Sequence, residues 1–362
     1  MSDRLLVGTR KGLFNIARRN GRWSVPEPSF LGDPVTAVLA DPRDGTLYAA
    51  HNLGHFGVKM RRSKDAGKTW EEHTPPTYPP QPENAPGPAW KLVQVWVMET
   101  GGADEPGVLW AGTIPGGLFR SRDGGENWSL VRSLWEHPSR TEWMGGGYDA
   151  AGIHSICVDP RDRRKVSVAV STGGVWQSRD AGETWDLRAS GMRAEYMPPD
   201  RQADPLVQDV HRMVACARRP DVLWAQHHNG VFRSTDGAAS WHEIRECALS
   251  AFGFAVAVDP NDGDTAWFVP AIKDEKRVPV NAQLAVTRTR DGGRTFEVLR
   301  EGLPDEPAYD LVYRHALDVD ASGERLAIGS TTGGLWISED RGERWQCISA
   351  HLPPIATVRF AP

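Results

Sequence analysis

Three histidines fall at one repeated position in this chain. Short apolar runs that end in Asp-Pro or its remnant recur along it, as in Val35–Pro42, His154–Pro160 and Phe254–Pro260. Aligned on that ending, or on the run that follows each, they place Thr36, Trp96, His154, His211, Phe254, His315 and Ala356 at equivalent points. Imidazole is the commonest metal ligand, and three converging ring nitrogens with open coordination positions can hold a catalytic divalent cation. His154, His211 and His315 are therefore the expected metal ligands, and a divalent metal ion is the expected cofactor. The sequence leaves its identity open. No HExxH or Cys/His finger spacing accompanies them, because ligands drawn from separate repeats leave no local signature.

Acid–base groups lie beside these positions. Asp149 precedes His154, Asp209 stands two residues before His211, and Tyr313 and Arg314 lead directly into His315. A carboxylate near an imidazole can fix its tautomer or serve as general acid or base. Asp149, Asp209 and Tyr313 are the catalytic candidates. Arg10, His51, His227, Trp143 and Tyr148 fall in segments expected at the same end of the fold, and are the candidate substrate-binding residues. Rings with polar edges suit sugars and other small polar molecules. The plainer alternative is that these histidines bond loop carbonyls and that the carboxylates are solvated, as Asp305 and Glu306 read.

The elements that must position these residues are announced by a second repeat, Ser/Thr-x-Asp-x-Gly-x-Thr-Trp. Its copies are Ser63–Trp70, Ser121–Trp128, Ser178–Trp185, Ser234–Trp241, Thr289–Phe296 and Ser338–Trp345, with the Asp recurring every 49–58 residues. Asp-x-Gly can turn a tight hairpin, and the closing Trp can bury its ring between neighbouring units. Around each copy the chain reads as four short strands, bounded by Gly, Pro and Asp, with no stretch of sustained helical periodicity. Self-similarity at this period means stacked supersecondary units. The sequence resembles the Asp-box (BNR-repeat) β-propellers, a group that includes sialidases, xyloglucan-active glycosidases, sortilin-type receptors and photosystem II assembly factors. That resemblance covers nearly the whole chain and implies that the boxes themselves are structural hairpins away from the ligand face.

Six boxes give six blades, and the ends supply a seventh. Leu5–Thr9, Gly12–Ala17 and Trp23–Val25 match the second, third and fourth strands of a unit, whereas Ile355–Pro362 matches a first strand alone. The expected fold is an all-β, seven-bladed propeller forming one domain over residues 1–362, its ring closed by the C-terminal strand in the N-terminal blade.

Lys and Arg number 42 against 47 Asp and Glu, a net charge of −5, and no long basic run occurs, which argues against nucleic acid. The N-terminus lacks the apolar core of a signal peptide and the chain lacks an apolar run of membrane length, so a cytoplasmic protein with no membrane partner is expected. Cys157, Cys216, Cys247 and Cys347 follow no paired spacing. The resemblance to sialidases extends to Arg10 but to no Arg-Ile-Pro segment. Three functions remain. The first is a hydrolase or lyase acting on a small polar or sugar-like substrate at the His-rich axial pocket. The second is a metal-free glycoside hydrolase using paired carboxylates, and the third a non-catalytic binding or assembly platform.

Overall fold

The computed structural model describes residues 1–85, 87–305 and 307–362; Glu306 lies outside them. Seven four-stranded antiparallel sheets are arranged as blades. Blade 1 takes its innermost strand, Ile355–Ala361, from the C-terminal end and the other three, Arg4–Thr9, Gly12–Arg19 and Arg22–Ser24, from the N-terminal end. Blades 2 to 7 follow in order at 35–73, 94–130, 153–187, 210–244, 253–299 and 317–349. The closing pair runs in register from Arg4 opposite Ala361 to Gly8 opposite Thr357. The innermost strand of blade 7 is the shortest, Leu317–Val319. The link after blade 3 carries a single helical turn, Arg132–Trp135. No helix among the described residues is long and apolar enough to cross a membrane.

The recurrent Asp turn has the same backbone wiring in each copy, and in all but the last, where Arg344 replaces the Thr, a side chain also bonds the second carboxylate oxygen. In blade 4 the Ser178 hydroxyl donates to Asp180 Oδ1 at 2.8 Å, and the Gly182 N–H donates to Ser178 Oγ at 2.7 Å. The Thr184 N–H and hydroxyl donate to the two carboxylate oxygens at 2.9 and 2.5 Å. Ala181 and Gly182 both hold positive φ, 63° and 95°, which is why small residues stand there. Trp185 then buries its ring in a cluster with Trp110 of the preceding blade. Asp180→Ala should cost about 1–3 kcal/mol through the lost turn hydrogen bonds, read as a lower melting temperature with ligand affinity unchanged.

These carboxyls also tie stability to pH. Hydrogen bonds from Thr184 hold the Asp180 pKa at about 2, and those from Thr295 do the same for Asp291. A carboxyl depressed in the folded state stabilises fully above its ordinary pKa of about 4 and loses that contribution as pH falls towards the folded value. The melting temperature should therefore hold near neutrality and drop between about pH 4 and pH 2, a fall that is shallower in Asp180→Ala.

The inner strands share an irregularity that bears on function. Their pairing slips between Val35 and Ala37, Val95 and Val97, Ile153 and Ser155, Val210 and Arg212, and Gly253 and Val256. The skipped residues include Thr36, Trp96, His154, His211 and Phe254. A bulge bends the strand and re-aims its side chain, so one repeated backbone kink presents these residues at one end of the channel. The channel itself is nearly filled. Arg212, Asp318 and Arg359 help line a remaining space of about 30 Å³, enough for a water or so and too little for a sugar.

Candidate active site at the channel mouth

The bulge residues do not all turn to the axis. Thr36 Oγ1 donates to the Val95 carbonyl of the next blade at 2.8 Å, and His211 Nδ1 donates to the Gly253 carbonyl of its next blade at 2.7 Å. His315 Nε2 donates to the His154 carbonyl at 2.7 Å, and His154 Nδ1 lies 3.0 Å from Ser155 Oγ. The structure thus does not bring His154, His211 and His315 together as a ligand set. Among the described residues their ring nitrogens form no group close enough to share one ion; His211 and His315 each spend one nitrogen on a carbonyl of another blade, and a nitrogen that donates to a carbonyl cannot also bind a cation. Burial holds both His154 and His315 well below the ordinary imidazole pKa, with Arg314 adding to the effect at His154 and Arg212 at His315.

A different group converges. Atoms of Asp209, His211 and His228 lie within 4.8 Å of one another. Val210 pairs with His227 across blade 5, so the residues one step beyond the ladder, Asp209 and His228, face each other, and the His228 N–H donates to the Asp209 carbonyl at 2.9 Å. Asp209 Oδ2 is 3.5 Å from His228 Nδ1 and 3.9 Å from His211 Nε2. Because His211 Nδ1 carries the proton given to Gly253, its Nε2 presents a lone pair to the carboxylate. Two acceptors facing each other call for a proton or a cation between them. The 3.5 Å from Asp209 Oδ2 to His228 Nδ1 is close to the ~3.4 Å separating tetrahedral ligands that each stand ~2.1 Å from an ion, and the 3.9 Å to His211 Nε2 is longer.

The surroundings make the group electrostatically costly to leave empty-handed. Asp209 is buried, and its Oδ1 has no hydrogen-bond partner. A Cβ on Gly146 would meet its carboxylate at 3.1 Å, so glycine in the Gly145–Gly147 run lets the loop close over it. Burial pushes the Asp209 pKa up, but His228, His211 and Arg314 outweigh it and hold the carboxyl well below its usual range. His228 is raised, chiefly by Asp209, and His211 is lowered to about 4 by burial. The His211 ring stacks on Phe254 at 4.5 Å between centroids, and Arg314 stands over the same Phe254 at 5.3 Å and over Trp96 at 5.0 Å.

The other expected residues are dispersed. Tyr313 is half-buried with its ring 5.1 Å from Phe254. Tyr148 is exposed at the rim, edge-on to Trp96 at 5.4 Å. Asp149 and Arg10 are exposed. Trp143 is buried against Trp176. His51 is buried beside Phe30 with neither nitrogen bonded, and burial lowers it to about 4. His227 accepts from the Asn229 N–H, and burial lowers it to about 3. His228, Arg314, Trp96 and Phe254 were not among the candidate site residues. Arg314 was visible beside His315, Trp96 and Phe254 as occupants of the repeated position, and His228 as a histidine of a loop expected at this end, whereas its pairing with Asp209 needed the register of blade 5.

No family model matches the chain. It is 34% identical over 280 residues to an oligoxyloglucan-reducing end-specific xyloglucanase of Emericella nidulans, covering 70% of this chain and 32% of that one. It is 25% identical over 294 residues to a xyloglucanase of a Paenibacillus species, covering 71% and 26%. The chain thus spans about a quarter to a third of the length of these relatives. Among solved structures, the GH74 xyloglucanase from Xanthomonas campestris superposes with a TM-score of 0.67 at 17% identity, over 96% of this chain and 53% of that one. The chain is a seven-bladed propeller that resembles the GH74 xyloglucanases.

Proposed function

We propose that this propeller is a carbohydrate-active enzyme, a hydrolase or lyase, whose reaction centre is Asp209, His211 and His228 holding a divalent cation at the channel mouth. The convergence of one carboxylate oxygen and two imidazole nitrogens within 4.8 Å carries this reading. The enclosed, unpartnered Oδ1 of Asp209 and the lone pair that His211 Nε2 presents to Asp209 Oδ2 support it. A sugar substrate is suggested by the xyloglucanase relatives, and the Asp turns fit an Asp-box propeller. A cation held there would polarise a substrate oxygen or acidify a bound water. Asp209 and His211 would orient it, and Tyr148 and Tyr313 would wall the sugar. Four unpaired thiols fit a reducing compartment such as the cytoplasm.

A second reading rests on the direct approach of His228 Nδ1 to Asp209 at 3.5 Å. In it the pair works without metal, the carboxylate keeping the imidazole protonated as a general acid. Elemental analysis of protein purified without an affinity tag separates the two. About one equivalent of divalent metal, lost in His228→Ala, is the expected result. Metal-free protein that manganese, zinc and magnesium all fail to stabilise would leave the acid–base pair.

A further inference from the structure

Four arginines are buried among the described residues: Arg62, Arg288, Arg314 and Arg325. Three are paired. Arg62 meets Glu71 and Glu126, Arg288 meets Glu297 and Glu343, and Arg325 meets Asp3. Arg314 is 8% exposed, and no carboxylate or carbonyl among the described residues accepts from it; its Nε is enclosed and unbonded. The rings of Trp96 and Phe254 hold the guanidinium in place without using its N–H donors. A second guanidinium, Arg277, also stands over Phe254 at 5.3 Å, although Asp274 bonds it. The mouth therefore carries a buried guanidinium that feels the Asp209 carboxylate through space but has no hydrogen-bond acceptor among the described residues, an arrangement that leaves its donors open.

We propose that Arg314 is the docking group for an anionic substituent of the substrate, a carboxylate or a phosphate on a sugar. This rests on the carbohydrate reading above. Phe254 sets the spacing, because His211 of the reaction centre stacks on it while Arg314 stands over it. An acidic sugar seated at the mouth beside Tyr148 puts its anion on Arg314 and its neighbouring carbon–oxygen bonds towards Asp209, His211 and His228. The planar fork of arginine matches a carboxylate or phosphate in two parallel hydrogen bonds. Arg277 adds field without being free to bind, and Tyr148 at the rim borders the path in.

Calorimetric titration tests this with glucuronate- and galacturonate-ended disaccharides, glucose 6-phosphate and the matched neutral sugars, on protein kept in chelator so that no metal binds the anion. One of the two anion classes should bind on the order of tenfold to a hundredfold tighter than its neutral counterpart, and which class does so identifies the substituent. Arg314→Met should abolish the preference. The same substitution should leave the melting temperature within a few degrees, since no hydrogen bond is lost and the contact with both rings is kept. Equal binding of acidic and neutral sugars, or a melting temperature lowered by several degrees in Arg314→Met, would overturn the assignment. Metal titration of the same proteins is read separately. Acidic sugars bound by protein that takes up no metal in that titration would sink the cation reading alone, and metal bound by protein indifferent to anions would sink the Arg314 assignment alone.

Discussion

Asp209→Asn should lose divalent-metal binding by on the order of a hundredfold or more and lose turnover with it, while the propeller stays folded. The amide keeps the size of the side chain and its place under Gly146, so packing is preserved. It presents one neutral oxygen where the carboxylate presented two anionic ones, and its NH₂ can be driven against His211 Nε2, turning opposed acceptors into a donor–acceptor pair. The folded state should therefore tolerate the change, or gain slightly, because a buried charge with an orphan oxygen disappears. The checks are metal titration, steady-state rates on xyloglucan-derived and acidic oligosaccharides, and thermal melting on one preparation. Full metal affinity in the variant would remove Asp209 from the site. A collapse of the melting temperature would make it a structural residue.

The second large effect concerns the ring. Deleting residues 355–362 should leave no cooperatively folded protein. The Ile355–Ala361 strand buries Ile355, Val358 and Phe360, and leaves Leu6 and Val7 of its partner fully covered. Burying three such side chains is worth about 1.5–3 kcal/mol each, a sum comparable with the whole stability of a typical domain, about 5–15 kcal/mol. Removal also bares the backbone edge of Arg4–Thr9, an unpaired strand able to template aggregation. Soluble truncated protein melting within a few degrees of the full chain would show that the seventh blade is dispensable.

The fold was legible because it is written in repeats. Each Asp turn is local, its hydrogen bonds spanning two to four residues, so Ser178, Asp180 and Thr184 carry their own geometry in their spacing. Ring closure was legible for a related reason, since Ile355–Pro362 matches the first strand of a unit and Leu5–Thr9 the second. Even the equivalence of Thr36, Trp96, His154, His211 and Phe254 followed from counting, and the bulges fall on those residues.

Side-chain direction at those bulges was a different matter. Whether an imidazole points at the axis, at a neighbour's carbonyl or at a carboxylate depends on atoms from other blades, which sequence spacing does not encode. His315 reaches the His154 carbonyl over a separation of 161 residues, and His211 reaches Gly253 over 42. His228 joins Asp209 only through the pairing of Val210 with His227. Arg314 reads in the sequence only as the neighbour of His315, until the rings of Trp96 and Phe254 close on it without supplying an acceptor. Local hydrogen bonding and hydrophobic period determined the propeller from the sequence by itself. The arrangement of charge at its mouth was decided only by tertiary structure, because desolvation and Coulomb forces act between groups that the fold, and not the chain, makes neighbours.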